Sequence, residues 1–141
     1  MSNSYLSRRH LLGVVALPSL AGCTALGSGP GVRLGNIQIG NTEDEPVTFK
    51  LRIERDGSLI YQNRIEVSAG YLHDVERTWD SDPGAYSVFY TSSFGEGIHR
   101  LSIPADEGGG DGDCVDMRFY CWSDITDAII YDEDKPEWSG C

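Results

Sequence analysis

From Pro46 to Arg55 apolar and polar residues alternate one for one. Val47, Phe49, Leu51 and Ile53 fall on one side; Thr48, Lys50, Arg52 and Glu54 fall on the other. A period of two turns one set to a core and the other to water, which predicts a half-buried β-strand. Asp56-Gly57 follows and signals a hairpin turn. Beyond it "SLIYQNRIEV" carries Leu59, Ile60, Tyr61, Ile65 and Val67, and predicts a return strand in one piece or two. Upstream, "LGNIQIGN" predicts a short first strand with Ile37 and Ile39 on one face. Ala69-Gly70 breaks the pattern, and "YLHDVERTW" predicts a further, weaker strand.

In "SDPGAYSVFYT" a Pro83-Gly84 turn leads into Tyr86, Val88 and Tyr90, which alternate with Ser87, Phe89 and Thr91. A turn followed by Gly-x-Tyr-x-Val resembles a strand entry of immunoglobulin-like and fibronectin-type sandwiches. That resemblance implies that Tyr86 packs at the corner and bonds backbone through its hydroxyl. "GIHRLSIP" predicts another strand with Ile98, Leu101 and Ile103. "CVDMRFYCW" alternates again, with Val115, Met117, Phe119 and Cys121 inward and Asp116, Arg118 and Tyr120 outward. "SDIT" turns, and "DAIIYD" returns as the last strand. No segment shows a helical period. About eight short strands separated by turns predict an all-β, antiparallel, two-sheet immunoglobulin-like sandwich, with a small open barrel as the alternative.

The first residues break from this pattern. "MSNSYLSRRH" has no acid and carries Arg8 and Arg9; "LLGVVALPSL" follows. The apolar run is about half the roughly 20 residues a membrane-spanning helix needs, and Pro18 interrupts it. It reads as the apolar part of a secretory signal. "SRRHLL" resembles the twin-arginine export signal, and "LAGC" resembles a lipobox. The resemblance implies cleavage after Gly22 and a lipid on the Cys23 thiol. The expected organisation is therefore a signal peptide over 1–22, a lipidated flexible tether over 23–31 and the sandwich over 32–141. The tether "TALGSGPGV" is small and uncharged.

Charge sharpens this picture. The chain has 22 acidic and 11 basic residues, and losing Arg8 and Arg9 takes the net charge from −11 to −13. Such a surface repels nucleic-acid phosphates and anionic headgroups, so nucleic acid is not an expected partner and the lipid must do the anchoring. Dispersed acids with only Lys50 and Lys135 as lysines suit concentrated salt. With the signal, this composition resembles exported lipoproteins of haloarchaea. The implied location is the outer face of the cell membrane.

Four cysteines are present: Cys23, Cys114, Cys121 and Cys141. Cys114 and Cys121 share one apparent strand, where seven residues span about 23 Å, too far for a disulfide. A hairpin about "SDIT" would bring Cys121 near Ala128 and Cys114 near Lys135. A local turn in "PEWSGC" would then deliver Cys141 to Cys114. The expected disulfide is Cys114–Cys141, with Cys121 turned inward as a small hydrophobe.

Candidate chemistry is sparse. Asp106, Glu107, Asp111, Asp113 and Asp116 surround a glycine-rich bend and supply the oxygens calcium prefers, without the spacing of a known calcium loop. His73 and His99 stand on different strands; with Cys121 and Met117 they supply the residue types of a copper site but not its close spacing. Trp79, Trp122 and Trp138 could line a sugar or partner surface. There is no Gly-x-Ser-x-Gly and no phosphate loop. The sequence therefore predicts no catalytic residues and no cofactor. It predicts a membrane-anchored, non-catalytic surface module for protein or ligand contacts. Its alternatives are a calcium-binding or calcium-stabilised domain and a small exported hydrolase.

Overall fold

The computed structural model describes residues 31–105, 114–122, 125–131, 137 and 140–141. They form eight strands: β1 (Arg33–Asn41), β2 (Val47–Arg55), β3 (Ser58–Val67), β4 (Leu72–Asp74), β5 (Tyr86–Ser92), β6 (His99–Ile103), β7 (Cys114–Trp122) and β8 (Ile125–Tyr131). One sheet has the order β4-β1-β7-β8 and the other β3-β2-β5-β6. The expected two-sheet, all-β sandwich is what the chain forms. Every strand pair is antiparallel except β1 with β7, which run parallel. Consecutive strands β1 and β2 lie in different sheets, whereas the constant-type immunoglobulin order pairs its first two strands.

The β2 alternation is realised in full. Val47, Phe49, Leu51 and Ile53 are buried, and their polar neighbours face out. The Asp56-Gly57 turn has positive φ at both residues, 50° and 80°, as a tight hairpin with the twist of its strands requires. β3 is one continuous strand. The segment after Tyr71 is strand for only three residues. From Val75 it becomes a crossover strap, because its side chains serve the other elements. Trp79 Nε1 and Ser81 Oγ both donate to the Leu34 carbonyl, at 3.1 and 3.0 Å. Tyr86 is buried and its hydroxyl donates to the Asp82 carbonyl, the backbone bond the corner motif implied.

Between the sheets Phe49, Tyr90 and Phe119 pack with centroids 4.8–5.9 Å apart. Such offset aromatic contacts add to area burial. Cys121, Met117 and Val115 of β7 complete that layer, while Tyr61 meets Trp79 edge-on at 4.9 Å. The β7–β8 hairpin is tighter than expected: Cys121 faces Thr126, and Ala128 faces Phe119.

The carboxyl end is fastened to β1. Cys114 and Cys141 form a disulfide with Cα atoms 5.7 Å apart. Beside it, β1 bulges where its register against β7 shifts between Leu34 and Ile37. A bulge leaves backbone groups without ladder partners. Asp116 supplies one: its Oδ1 accepts from Asn36 N at 2.7 Å and from Gly140 N at 3.0 Å. Gly35 sits at this junction because a Cβ there would come 2.7 Å from the Gly140 carbonyl and 2.8 Å from Cys114 Sγ.

Candidate functional site

The outward phase of β2, β3, β5 and β6 shares one sheet face, and the registers fix its layout. Lys50 lies between Arg64 of β3 and Thr91 of β5. One row along, Gln62, Arg52, Phe89 and Arg100 stand side by side across all four strands. A groove of about 770 Å³ runs over these rows, flanked by Asn63 and Ile98. Four cations therefore crowd one face of an otherwise acidic chain.

Their environment is unusual in two ways. Lys50 and Arg64 are directly opposite like charges, an arrangement that destabilises a sheet. Among the described residues neither has a carboxylate within ion-pair distance, whereas Arg52 is bridged to Glu54. Phe89 occupies the polar phase of β5 and is clasped by guanidinium carbons of Arg52 at 5.7 Å and Arg100 at 5.5 Å. These are cation–π contacts, which hold both planar groups beside the ring. Ile98, at the groove's end, is 76% exposed. The sequence did hold a signal for this site: an aromatic residue in the polar phase between Ser87 and Thr91. It could not show which cations would surround it.

The opposite sheet presents a second outward surface. Tyr120 and Trp122 stack at 6.1 Å, and Leu72, Tyr71 and Ile129 are exposed near them. Gly40 lies beneath; a Cβ there would meet the Tyr120 ring at 3.2 Å and Leu72 at 3.4 Å. Beside the aromatic pair, Gln38 links Asp74 and Arg118. Of the tryptophans expected to line a surface, Trp122 is at one, Trp79 is in the core, and Trp138 lies outside the described residues.

Arg8, Arg9 and Cys23 lie outside the described residues, as do Asp106, Glu107, Asp111 and Asp113. Asp116, the remaining calcium candidate, is fully buried and has its carboxylate on the bulge and the tail. Among the described residues no group of three His, Cys, Asp or Glu side chains could hold a metal ion. His73 and His99 are in different sheets, and His99 stacks on Tyr90 at 5.2 Å. Cys121 is buried, and burial pushes its thiol up to about 11, against a partial opposing effect of a bond with Thr126. A thiol so held is not a thiolate nucleophile near neutral pH. The described residues lining the groove include no carboxylate and no imidazole.

No family model matches the sequence, and no curated protein is significantly similar to it. The fold does have a counterpart among solved structures, the T6SS lipoprotein TssJ1 from Pseudomonas aeruginosa. The two superpose with a TM-score of 0.50 over 72% of this chain and 98% of that one, at 12% sequence identity. At that identity the likeness establishes a shared β-sandwich architecture.

Proposed function

We propose that the chain is an exported lipoprotein whose sandwich is a non-catalytic module, holding a partner on the outer face of the β3-β2-β5-β6 sheet. The observation that carries this reading is the groove itself. Arg52 and Arg100 clasp Phe89, and Lys50 and Arg64 stand opposite each other in the neighbouring row in mutual repulsion, on a chain of net charge −11. Folding alone has no use for that arrangement; binding does. "SRRHLL" and "LAGC" support twin-arginine export and lipidation of Cys23, and the acidic, lysine-poor composition supports a haloarchaeal cell surface. A lipoprotein with the same architecture agrees with anchoring at a membrane.

Cell fractionation and cross-linking test this reading. Wild-type protein is expected in the membrane fraction, and Cys23→Ser is expected to lose that association. Arg8→Lys with Arg9→Lys is expected to block export. A photo-cross-linker replacing Gln62 should capture a discrete partner in intact cells, and the same probe at exposed Asp44 should not. Export and anchoring without Arg8, Arg9 or Cys23, or equal capture from both positions, would overturn it.

A further inference from the structure

We infer that the groove takes an acidic segment of a partner protein. Carboxylates of that segment meet Lys50, Arg52, Arg64 and Arg100, and an apolar side chain seats against Phe89 and Ile98. The inference rests on the reading of the chain as a binding module and adds the chemistry of what it binds.

Charge complementarity is the first argument. Nine lysines and arginines follow Cys23; Lys50, Arg52 and Arg64 line this groove, and Arg100 stands beside its Phe89. Acids dominate the chain as a whole, so a long polyanion such as nucleic acid or an anionic membrane is repelled wherever it overruns the face. A short acidic segment stays within it. The cations come from three strands and lie across the sheet rather than along one line, so a chain crossing the strands meets them in turn.

The second argument is preorganisation. Arg52 and Arg100 flank one ring, and Arg100 is further held by a bond from its terminal nitrogen to Ser87 Oγ at 3.1 Å. Guanidiniums fixed in this way lose less freedom on meeting a carboxylate, and their planar forks match its geometry. The third argument is apolar. Ile98 is the most exposed large hydrophobic side chain among the described residues, and Phe89 supplies a ring on the groove floor. An aliphatic side chain with no core to fill favours a peptide's apolar residue over a sugar's hydroxyl-bearing faces.

Salt separates this mode from simple ion attraction. At about 1 M salt the screening length is only about 3 Å, so steering at a distance vanishes and direct contact pairs remain. The seat formed by Phe89 and Ile98 is insensitive to screening. Binding should therefore weaken with salt but persist at concentrations that abolish purely ionic association.

The test uses full-length lipidated protein in detergent micelles and a labelled short peptide of aspartates and glutamates with central leucines, read by fluorescence anisotropy. Saturable binding is expected. It should fall about tenfold or more on Lys50→Glu or Arg100→Glu, and also on Phe89→Ala. Replacing the peptide's leucines by glycine should remove the salt-resistant part. Lys50→Glu places an acid opposite Arg64, so its melting temperature should hold or rise, which separates lost binding from lost folding.

A lysine-rich peptide binding as tightly as the acidic one would overturn the inference, as would affinity unchanged by both charge reversals. Tighter binding of a sulfated oligosaccharide would overturn it in favour of a glycan. If the Gln62 cross-link persists in the Lys50→Glu and Arg100→Glu variants, the acidic occupant is wrong and the binding module stands. If no cross-link forms in wild type, the module itself is wrong.

Discussion

The Asp116 carboxylate accepts the backbone N–H of Gly140 at 3.0 Å and so ties the end of the chain to the strand that pairs with β1. The same oxygen holds the bulge through Asn36 N at 2.7 Å. Asp116 is fully buried, and removing it takes the side-chain acceptor from two part-buried backbone donors. A hydrogen bond to a charged group contributes about 1.5–3 kcal/mol when buried, and less where water can replace it. Asp116→Ala should therefore lower unfolding stability by about 1–3 kcal/mol in urea titrations. Asp116→Asn, which retains the accepting oxygen, should lose less. Calcium at millimolar concentration should not restore either variant, because the lost interaction is with backbone.

The disulfide and this carboxylate hold the same tail, so their effects should not add. Cys114 and Cys141 are 27 residues apart, and closing a loop of that size contributes about 3.5 kcal/mol in the chain-entropy account. The double replacement Cys114→Ser with Cys141→Ser should show a loss of that order. With the tail released, Gly140 N–H can reach water, so adding Asp116→Ala to this background should cost less than it does alone. A double-mutant cycle should give a coupling of about 1 kcal/mol. Strict additivity would mean that the two fastenings act independently.

Tyr86 fixes where the crossover strap enters β5. Its ring is buried and its hydroxyl donates to the Asp82 carbonyl. Tyr86→Phe keeps the ring and loses the bond; the Asp82 carbonyl lies in an exposed segment, where water can replace the donor. The expected loss is about 1 kcal/mol. Tyr86→Ala removes the ring as well and should cost about 3–5 kcal/mol. Both are read from denaturant midpoints, and a larger effect for Phe than for Ala would contradict this account.

These residues also show which parts of the fold the sequence carries locally. The Val47–Ile53 alternation, the Asp56-Gly57 turn and the Tyr86 corner each lie within one short segment, and each takes the form its pattern implies. The parallel union of β1 with β7 joins residues some eighty positions apart, and no local period encodes it. Asp116 illustrates the gap. Alternation puts it in the outward phase of β7, yet the bulge and the tail cover it completely. The groove is partly legible for the same reason. Period two turns Lys50, Arg52, Arg64 and Phe89 outward, but only the strand registers bring them together with Arg100.

Burial of Cys121 sets how stability responds to alkali. In the unfolded chain the thiol titrates near 9.0; in the fold it is pushed up to about 11. Below pH 9.0 both states keep the proton, and the full stability is present. As pH rises from there, the unfolded chain ionises and the native thiol does not, so unfolding is favoured until the native thiol also ionises. The slope should be no more than about 1.4 kcal/mol per pH unit. Tyr86 and Tyr90, both raised by burial from 10.0, act in the same direction at the upper end of that range. Urea midpoints should therefore be flat through neutral pH and fall from about pH 9 upward. Cys121→Ala should delay the fall until the tyrosines begin to titrate. A thiol reagent at neutral pH should leave Cys121 unmodified in the native protein and label it on unfolding. Rapid native labelling would show a thiol open to solvent, and the alkaline slope would then need another source.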